Sequence, residues 1–328
     1  MKRLQITPWQ AFFVLIAAMA LLVLAVDASG NGYFQTFTAL MLIQVMLAVS
    51  LTMTNGFTGM FSLGHPAFMT IGAYVAILFT YPVGRKGFAM PALPETVAQI
   101  HLSLPIAALV GGLTAALLGW LIGRLVVHLQ THYLAVATLG LIIVVQTFAL
   151  NLDGFTRGGR GITGVPREAT LALIGFFTVL VIVLCWRIKH ASVGRAMLAV
   201  RENEMAARCF GIKAIRLKVI AFVLGAGIAG FCGALLPHVV SVMSPKSFGL
   251  ILAFNLVAII VVGGQGSIIG AIFSAVLITF GSESLRQVEE ATGVYGMTQV
   301  IVAVALIAFL LVRPKGLFGL KEPFVRTS

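Results

Sequence analysis

The sequence predicts an all-α, polytopic membrane protein with about ten transmembrane helices. Of its 328 residues, 59% are hydrophobic and only 10% are charged, which is too little polar surface for a water-soluble globule. Apolar segments also recur along the whole chain, and a helix needs roughly 20 apolar residues to cross a bilayer core of about 30 Å. We therefore expect a single transmembrane domain over residues 1–328, with no separate soluble domain.

Ten apolar segments are the candidate spans. They cover residues 9–26, 34–54, 66–80, 103–123, 133–150, 170–186, 219–237, 247–262, 268–281 and 295–312. The first follows Lys2 and Arg3 and runs into the sequence Val26 to Ala28, which resembles a cleavage site, a pattern that cleavable signal peptides share. We favour a retained first span, because a second apolar segment follows at once.

Charge gives the orientation of these spans. If the sides alternate, the whole formal net charge of +12 falls on the side of the N-terminus, and the opposite side is neutral. The positive-inside rule then places both termini in the cytoplasm. Membrane orientation also explains the isoelectric point of about 10.2. Since the basic residues lack a clustered aromatic platform, we expect no nucleic-acid partner.

The composition of the spans excludes several functions. They contain no Asp, Glu, Lys or Arg, whose placement at the bilayer centre costs at least about 2.5 kcal/mol and usually serves proton relays or ion coupling. No lysine follows a glycine, so the chain lacks a P-loop for ATP. The spans hold no paired carboxylates for catalysis, and the cysteines and histidines lack metal-ligand spacing. We therefore expect neither an enzyme nor a metal site.

One charged stretch, residues 187–218, interrupts the apolar pattern on the predicted cytoplasmic side. It contains eight of the 22 basic residues: Arg187, Lys189, Arg195, Arg201, Arg208, Lys213, Arg216 and Lys218. At about 3.6 residues per turn, Ala196–Phe210 forms an amphipathic helix. Its apolar side carries Met197, Leu198, Met205 and Cys209. Its charged side carries Arg201, Glu204 and Arg208. Such a helix is a solvated connector, lies on anionic lipid, or docks a soluble partner.

A glycine-rich stretch, residues 55–74, leads into the short span 66–80. It includes Gly56, Gly59, Gly64 and Pro66. The pattern predicts unwound backbone at membrane depth, buried or lining a watery cavity, with a half-helix that begins near Pro66. The alternative is small-residue helix packing. His65 either satisfies freed backbone carbonyls or hydrogen-bonds a solute.

Two further stretches are rich in glycine. Residues 263–267 (GGQGS) predict a tight cytoplasmic turn between spans eight and nine. Residues 151–166 on the outer side carry Asp153, Arg157 and Arg160. They are either a linker or the contact site of an external partner, which mixed charges would steer.

These motifs together resemble the permease subunits of branched-chain amino acid ABC importers, in particular the M-type subunit of the Liv system. The resemblance covers roughly residues 35–320 and rests on Gly56, Gly59, Ser62 to His65, Ala67, Phe68, Ile71 to Tyr74, Tyr133, Ala135, Thr138, Leu139, Gly161, Gly164, Pro166, Gly194, Arg195, Arg201 to Glu204, Ala206, Ala207, Gly211, Ile212, Ala229, Gly230, Gly263, Gly264, Gly266, Arg313, Pro314 and Gly316 to Gly319.

The resemblance implies a type II-like, ribose permease-like fold in a bacterial inner membrane. It also implies partners: a homologous second permease, two cytoplasmic ATPase subunits that hydrolyse the ATP, and a periplasmic or extracellular substrate-binding protein. No cofactor is then bound by this chain. The solute is a branched-chain amino acid or, elsewhere in the family, urea or a short amide. A stand-alone channel or facilitator is the alternative, and it leaves the helix over residues 194–212 unexplained.

The same resemblance assigns functional residues. The ATPase-coupling residues are Gly194, Arg195, Arg201, Glu202, Asn203, Glu204, Ala206, Ala207 and Gly211. The predicted translocation-path residues are Gly56, Gly59, Ser62, Gly64, His65 and Thr138. The sequence departs from the family at two places. First, the family's Glu-Ala-Ala signature has one extra residue here, between Glu204 and the alanines Ala206 and Ala207. Second, Pro237 lies near the outer end of span seven, where a proline is expected to kink or end the helix.

Overall fold

The computed structural model describes residues 8–313 and 316–318, with the backbone alone for residues 8–12, and these residues are almost entirely helical. In chain order the helices are α1 (Pro8–Ala28), α2 (Gly32–Leu51), α3 (His65–Thr80), α4 (Val83–Ala89), α5 (Glu95–Ala98), α6 (Leu104–Val126), α7 (Thr131–Asn151), α8 (Asp153–Thr156), α9 (Leu171–His190), α10 (Ser192–Glu202), α11 (Glu204–Cys209), α12 (Ala214–Val240), α13 (Leu250–Gly263), α14 (Ile268–Thr292) and α15 (Met297–Val312). A π-helical turn, Thr52–Gly56, follows α2, and Gly158–Arg160 and Pro245–Phe248 form 3-10 turns.

Apolar helices occupy all ten predicted spans. Seven helical segments of the described chain are long and apolar enough to cross a membrane: 32–56, 104–126, 131–151, 171–190, 214–240, 245–263 and 268–292. Three shorter apolar segments cover 13–28, 65–80 and 297–312. The all-α, polytopic membrane character is therefore confirmed, while ten full crossings stay a prediction.

Helices α3, α6 and α12 pack closely together and approach each other at glycines. A Cβ atom added to Gly72 of α3 would lie 2.0 Å from the carbonyl oxygen of Gly230 in α12, and one added to Gly111 of α6 would lie 2.6 Å from the carbonyl oxygen of Gly72. Lipid is as apolar as the side chains, so close backbone packing has to supply much of the helix association. An alanine at either glycine would separate the helices.

The connections between helices gather at two opposite ends of the bundle. At one end Tyr81 donates to the carbonyl of Thr163 at 3.0 Å, and Arg167 donates to the Ser241 hydroxyl at 2.8 Å. Strands β1 (Ile162–Thr163) and β2 (Val242–Met243) pair there in antiparallel register. At the other end, which we call the basic end, α10 and α11 lie beside the π-helical turn and the α13–α14 turn. The helices thus run alternately between the two ends.

The ends of α14 and α12 differ from the predictions. Helix α14 continues to Thr292 instead of ending near residue 281, because Arg286 forms ion pairs of 2.5 Å with Glu283 and with Glu290 one turn away. Helix α12 begins at Ala214 instead of residue 219. It also continues past Pro237, so that residue does not end the helix.

Candidate functional site

The stretch predicted as one helix, Ala196–Phe210, is two helices, and this part of the prediction was wrong. Asn203 between α10 and α11 has extended backbone angles (φ −157°, ψ 104°), and its side chain accepts a hydrogen bond from the Ala206 N–H at 3.0 Å. An asparagine side chain bonded in this way competes with helix continuation and caps a new N-terminus. The sequence signal was Asn203 itself, which periodicity alone overlooks.

Ion pairs fix α11 against the start of α12. Glu204 contacts Arg208 at 2.6 Å and Lys218 at 2.6 Å. Burial acts to raise the pKa of Glu204, but hydrogen bonds from Lys218 and Arg208 outweigh it and hold the pKa below its ordinary value. Gly211 has a φ of +79°, which confirms its predicted place as a left-handed cap after the helix. The predicted Glu204–Arg208 pairing is also confirmed.

The break at Asn203 changes which apolar side chains are buried. Met197 and Val200 of α10 are buried, whereas Met205 and Phe210 are 75% and 85% exposed. Cys209 is exposed as well. The prediction that Met205 and Cys209 share one side with Met197 was therefore wrong, because the two helices point their apolar residues in different directions.

The predicted ATPase-coupling residues differ in exposure. Exposed are Arg195, Glu202, Asn203, Ala206 and Gly211; half-buried are Arg201 and Glu204; buried are Gly194 and Ala207. The buried glycine has a packing reason, since a Cβ atom at Gly194 would lie 2.1 Å from the carbonyl oxygen of Ile188. Only part of the predicted set can touch another subunit without rearrangement.

Arg201 binds inside the chain, not along the predicted charge ladder with Glu204. Its Nη1 donates to the carbonyl oxygen of Gly56 at 2.5 Å and to that of Gln265 at 2.9 Å. Burial lowers the pKa of this guanidinium, although nearby Glu202 acts in the opposite direction. Beside it, Lys189 donates to the carbonyl oxygen of Gly266 at 2.7 Å. The sequence missed these contacts because they join distant segments.

The glycine-rich stretch after α2 is unwound, as predicted. The π-helical turn ends at Gly56, residues 59–64 have no regular structure, and α3 begins at His65 with Pro66 in its first turn. Side chains replace the missing helix bonds. Asn55 and Ser62 exchange two hydrogen bonds of 3.0 Å, and the Leu63 N–H donates to the Thr138 hydroxyl at 3.0 Å. We call residues 57–64 the re-entrant segment; the N–H groups of Ser62, Leu63 and Gly64 all find side-chain acceptors within the protein.

The predicted path residues lie mostly behind the protein surface. Ser62, His65 and Thr138 are 1%, 3% and 1% exposed. His65 Nε2 lies 3.2 Å from the Ser50 hydroxyl, which donates to the carbonyl of Gly225. His65 therefore reaches a backbone carbonyl through Ser50, close to the first of its two predicted roles. Of the glycines, Gly56 and Gly64 are buried and Gly59 is exposed.

One exposed helix face combines apolar and polar groups. Helix α7 exposes Ile143, Thr147 and Phe148, and α13 exposes Phe254 and Asn255. Both helices pack against the start of α3 through a small apolar cluster. Asn255 lies near the middle of α13. An asparagine within an apolar run was the signal in the sequence, and the predictions did not use it.

A bundle of apolar helices with a re-entrant segment and a structured basic end defines a helical membrane transport protein. Residues 33–312 match the family model described as "Branched-chain amino acid transport system / permease component". The chain belongs to this family, whose members are non-catalytic permease subunits of ABC transporters.

Relatives in the family share sequence over most of the chain. The high-affinity branched-chain amino acid transport system permease protein LivM of Salmonella typhimurium is 30% identical over 93% of this chain and 75% of its own. LivH of Escherichia coli is 25% identical over 84% of this chain and 91% of its own. The autoinducer 2 import system permease protein LsrC of Salmonella paratyphi B is 28% identical over 64% of this chain and 65% of its own. No solved structure matches the chain, so the likeness to ribose permease stays a prediction.

Proposed function

We propose that this chain is the M-type permease subunit of an ATP-driven importer for branched-chain amino acids in a bacterial inner membrane. The observation that carries the proposal is the 30% identity to LivM over 93% of the chain. The uncharged spans and the lack of a P-loop support it, because a permease of this kind takes its energy from partner ATPases. A homologous second permease, two ATPase subunits and a substrate-binding protein complete the importer.

The ATPase docks on α10 and α11. Met205 and Phe210 are largely exposed apolar side chains at the basic end, and an apolar groove would remove both from water. The exposed acid Glu202 favours a protein partner over anionic lipid, since lipid headgroups would repel the carboxylate. Met205 and Phe210 therefore join the exposed members of the predicted coupling set, Arg195, Glu202, Asn203, Ala206 and Gly211, as its contacts.

The solute path runs along the exposed face of α7 and α13, where the second permease completes its wall. Facing lipid, the amide of Asn255 would lack hydrogen-bond partners near mid-membrane, which is costly. Facing water or a second subunit, the amide is satisfied. The buried residues Ser62, His65 and Thr138 then support this wall from behind. Residues 151–166, at the opposite end from the ATPases, receive the binding protein.

Reconstitution tests this proposal. The chain is purified with the second permease, ATPases and binding protein encoded beside it, and uptake of labelled leucine into proteoliposomes is measured. We expect uptake that requires ATP and binding protein, and that unlabelled isoleucine and valine suppress. Suppression by urea or acetamide instead would favour the amide alternative. Uptake by this chain alone, without ATP, would favour a facilitator.

A further inference from the structure

Four segments meet at the basic end around two cationic side chains. Arg201 of α10 binds the carbonyls of Gly56, at the end of the π-helical turn, and of Gln265, in the α13–α14 turn. Lys189, at the end of α9, binds the carbonyl of Gly266 in the same turn. Charge-assisted hydrogen bonds are stronger than neutral ones, so this junction joins α10 to the membrane bundle by more than surface packing.

The backbone at the junction is shaped to admit the guanidinium. Gly266 has a φ of +103°, and a Cβ atom there would lie 2.5 Å from Arg201 Nη1. A Cβ atom at Gly56 would lie 2.7 Å from the backbone nitrogen of Gly266. Gly59, with a φ of +70°, lies against the Arg201 side chain. Gly59 and Gly266 thus lie against the arginine side chain, and Gly56 lets the π-helical turn approach the α13–α14 turn.

Hydrogen bonds connect the junction to α7, one of the two helices along which the solute path is proposed. Asn55, next to Gly56, exchanges two hydrogen bonds with Ser62. The following residue, Leu63, donates to Thr138 of α7. The connection therefore runs from α10 through the re-entrant segment to α7, the helix whose opposite side is exposed. Each step is a hydrogen bond of 3.0 Å or less between described residues.

We propose that Arg201 is a positioning residue that transmits movement of α10 to the re-entrant segment and α7, and does not contact the ATPase. This proposal rests on the proposed function, because it needs an ATPase that moves α10. Coupling requires that the contact differ between two states of the bundle. Because a single guanidinium nitrogen, Arg201 Nη1, binds both carbonyls, it moves the two turns together. A docking contact would instead leave Arg201 free of them.

The experiment separates docking from transmission in the reconstituted complex. Exposed Cys209 on α11 reports docking, as the fraction protected from maleimide by the bound ATPases. The ratio of leucine taken up to ATP hydrolysed reports transmission. For Arg201→Gln we expect unchanged Cys209 protection, with an uptake ratio about tenfold lower, because both charge-assisted bonds are lost. Arg201→Lys keeps the charge but not the planar guanidinium and should recover part of the ratio.

Two further variants guard against a folding defect. Gly266→Ala should lower the ratio in the same way, since its Cβ atom displaces the guanidinium from the turn. Arg124→Gln is the matched control: Arg124 lies over Trp120 at the same end, and its replacement should leave the ratio unchanged. An unchanged ratio in Arg201→Gln, or a loss of Cys209 protection, would overturn the inference. Lack of ATP-dependent uptake by the unmodified complex would instead overturn the proposed function.

Discussion

Asn203 separates α10 from α11, because its side chain caps the start of α11. Replacement by alanine removes the acceptor for the Ala206 N–H and should cost about 1 kcal/mol of local helix stability. Hydrogen exchange of the amides in residues 204–211, followed by mass spectrometry, should show faster exchange in Asn203→Ala. Asn203→Asp keeps a capping oxygen and should exchange like the unmodified protein. Equal rates in all three proteins would show that the cap contributes nothing.

Glu204 makes the same helix sensitive to acid. Its pKa lies below the ordinary value of 4.5, because hydrogen bonds from Lys218 and Arg208 outweigh the effect of burial. A depressed carboxyl pKa contributes stability that is present above the unfolded-state pKa and is lost as pH falls through the folded-state pKa. We expect protection of α11 amides, corrected for intrinsic exchange, to fall below pH 4.5. Glu204→Gln should show low protection at all pH values; an acid response that persists in that variant would point to another group.

The re-entrant segment is held by a side chain from another helix, Thr138 of α7. Thr138→Val removes the hydroxyl that accepts from the Leu63 N–H and leaves a buried amide without a partner. This should destabilise the protein by about 1–3 kcal/mol. Thermal unfolding in detergent should give a lower Tm for Thr138→Val than for Thr138→Ser, which keeps the hydroxyl. Equal Tm values for the two variants would mean that the amide finds another acceptor.

Individual elements were predictable where a local pattern carries the signal. Apolar length gave the helices, and Pro66 with its neighbouring glycines gave the start of α3 and the unwound approach to it. The break at Asn203 was missed because a capping side chain interrupts a helix without disturbing the apolar pattern. The extension of α14 was missed because Glu283, Arg286 and Glu290 look like a loop by composition, although they pair at helical spacing.

Contacts between distant segments could not be derived from local patterns. Arg201 meets the carbonyl of Gly56 across 145 positions in the chain, and only the folded bundle brings them together. The same holds for the burial of Ser62, His65 and Thr138. Their motif marked an important region, but whether such residues face a path or support it depends on which helices pack in front of them.

Orientation is a property of the whole molecule, and charge distribution predicts it. Cys209 is exposed at the basic end, whereas Cys185 and Cys232 are buried, so one natural cysteine reports the side. In membranes that contain the permeases without the ATPases, a membrane-impermeant maleimide should label Cys209 in inside-out vesicles but not in intact cells. The variant Cys209→Ser is the control that measures labelling at other sites. Labelling in intact cells would place the basic end outside and contradict both the orientation and the proposed ATPase contact.

The exposure of Met205 and Phe210 has a consequence for biogenesis. A newly inserted copy without bound ATPase subunits exposes two large apolar side chains to water. Chaperones and proteases recognise such surfaces. Orphan copies should therefore be short-lived, and the cell would need to synthesise the membrane and motor components in matched amounts.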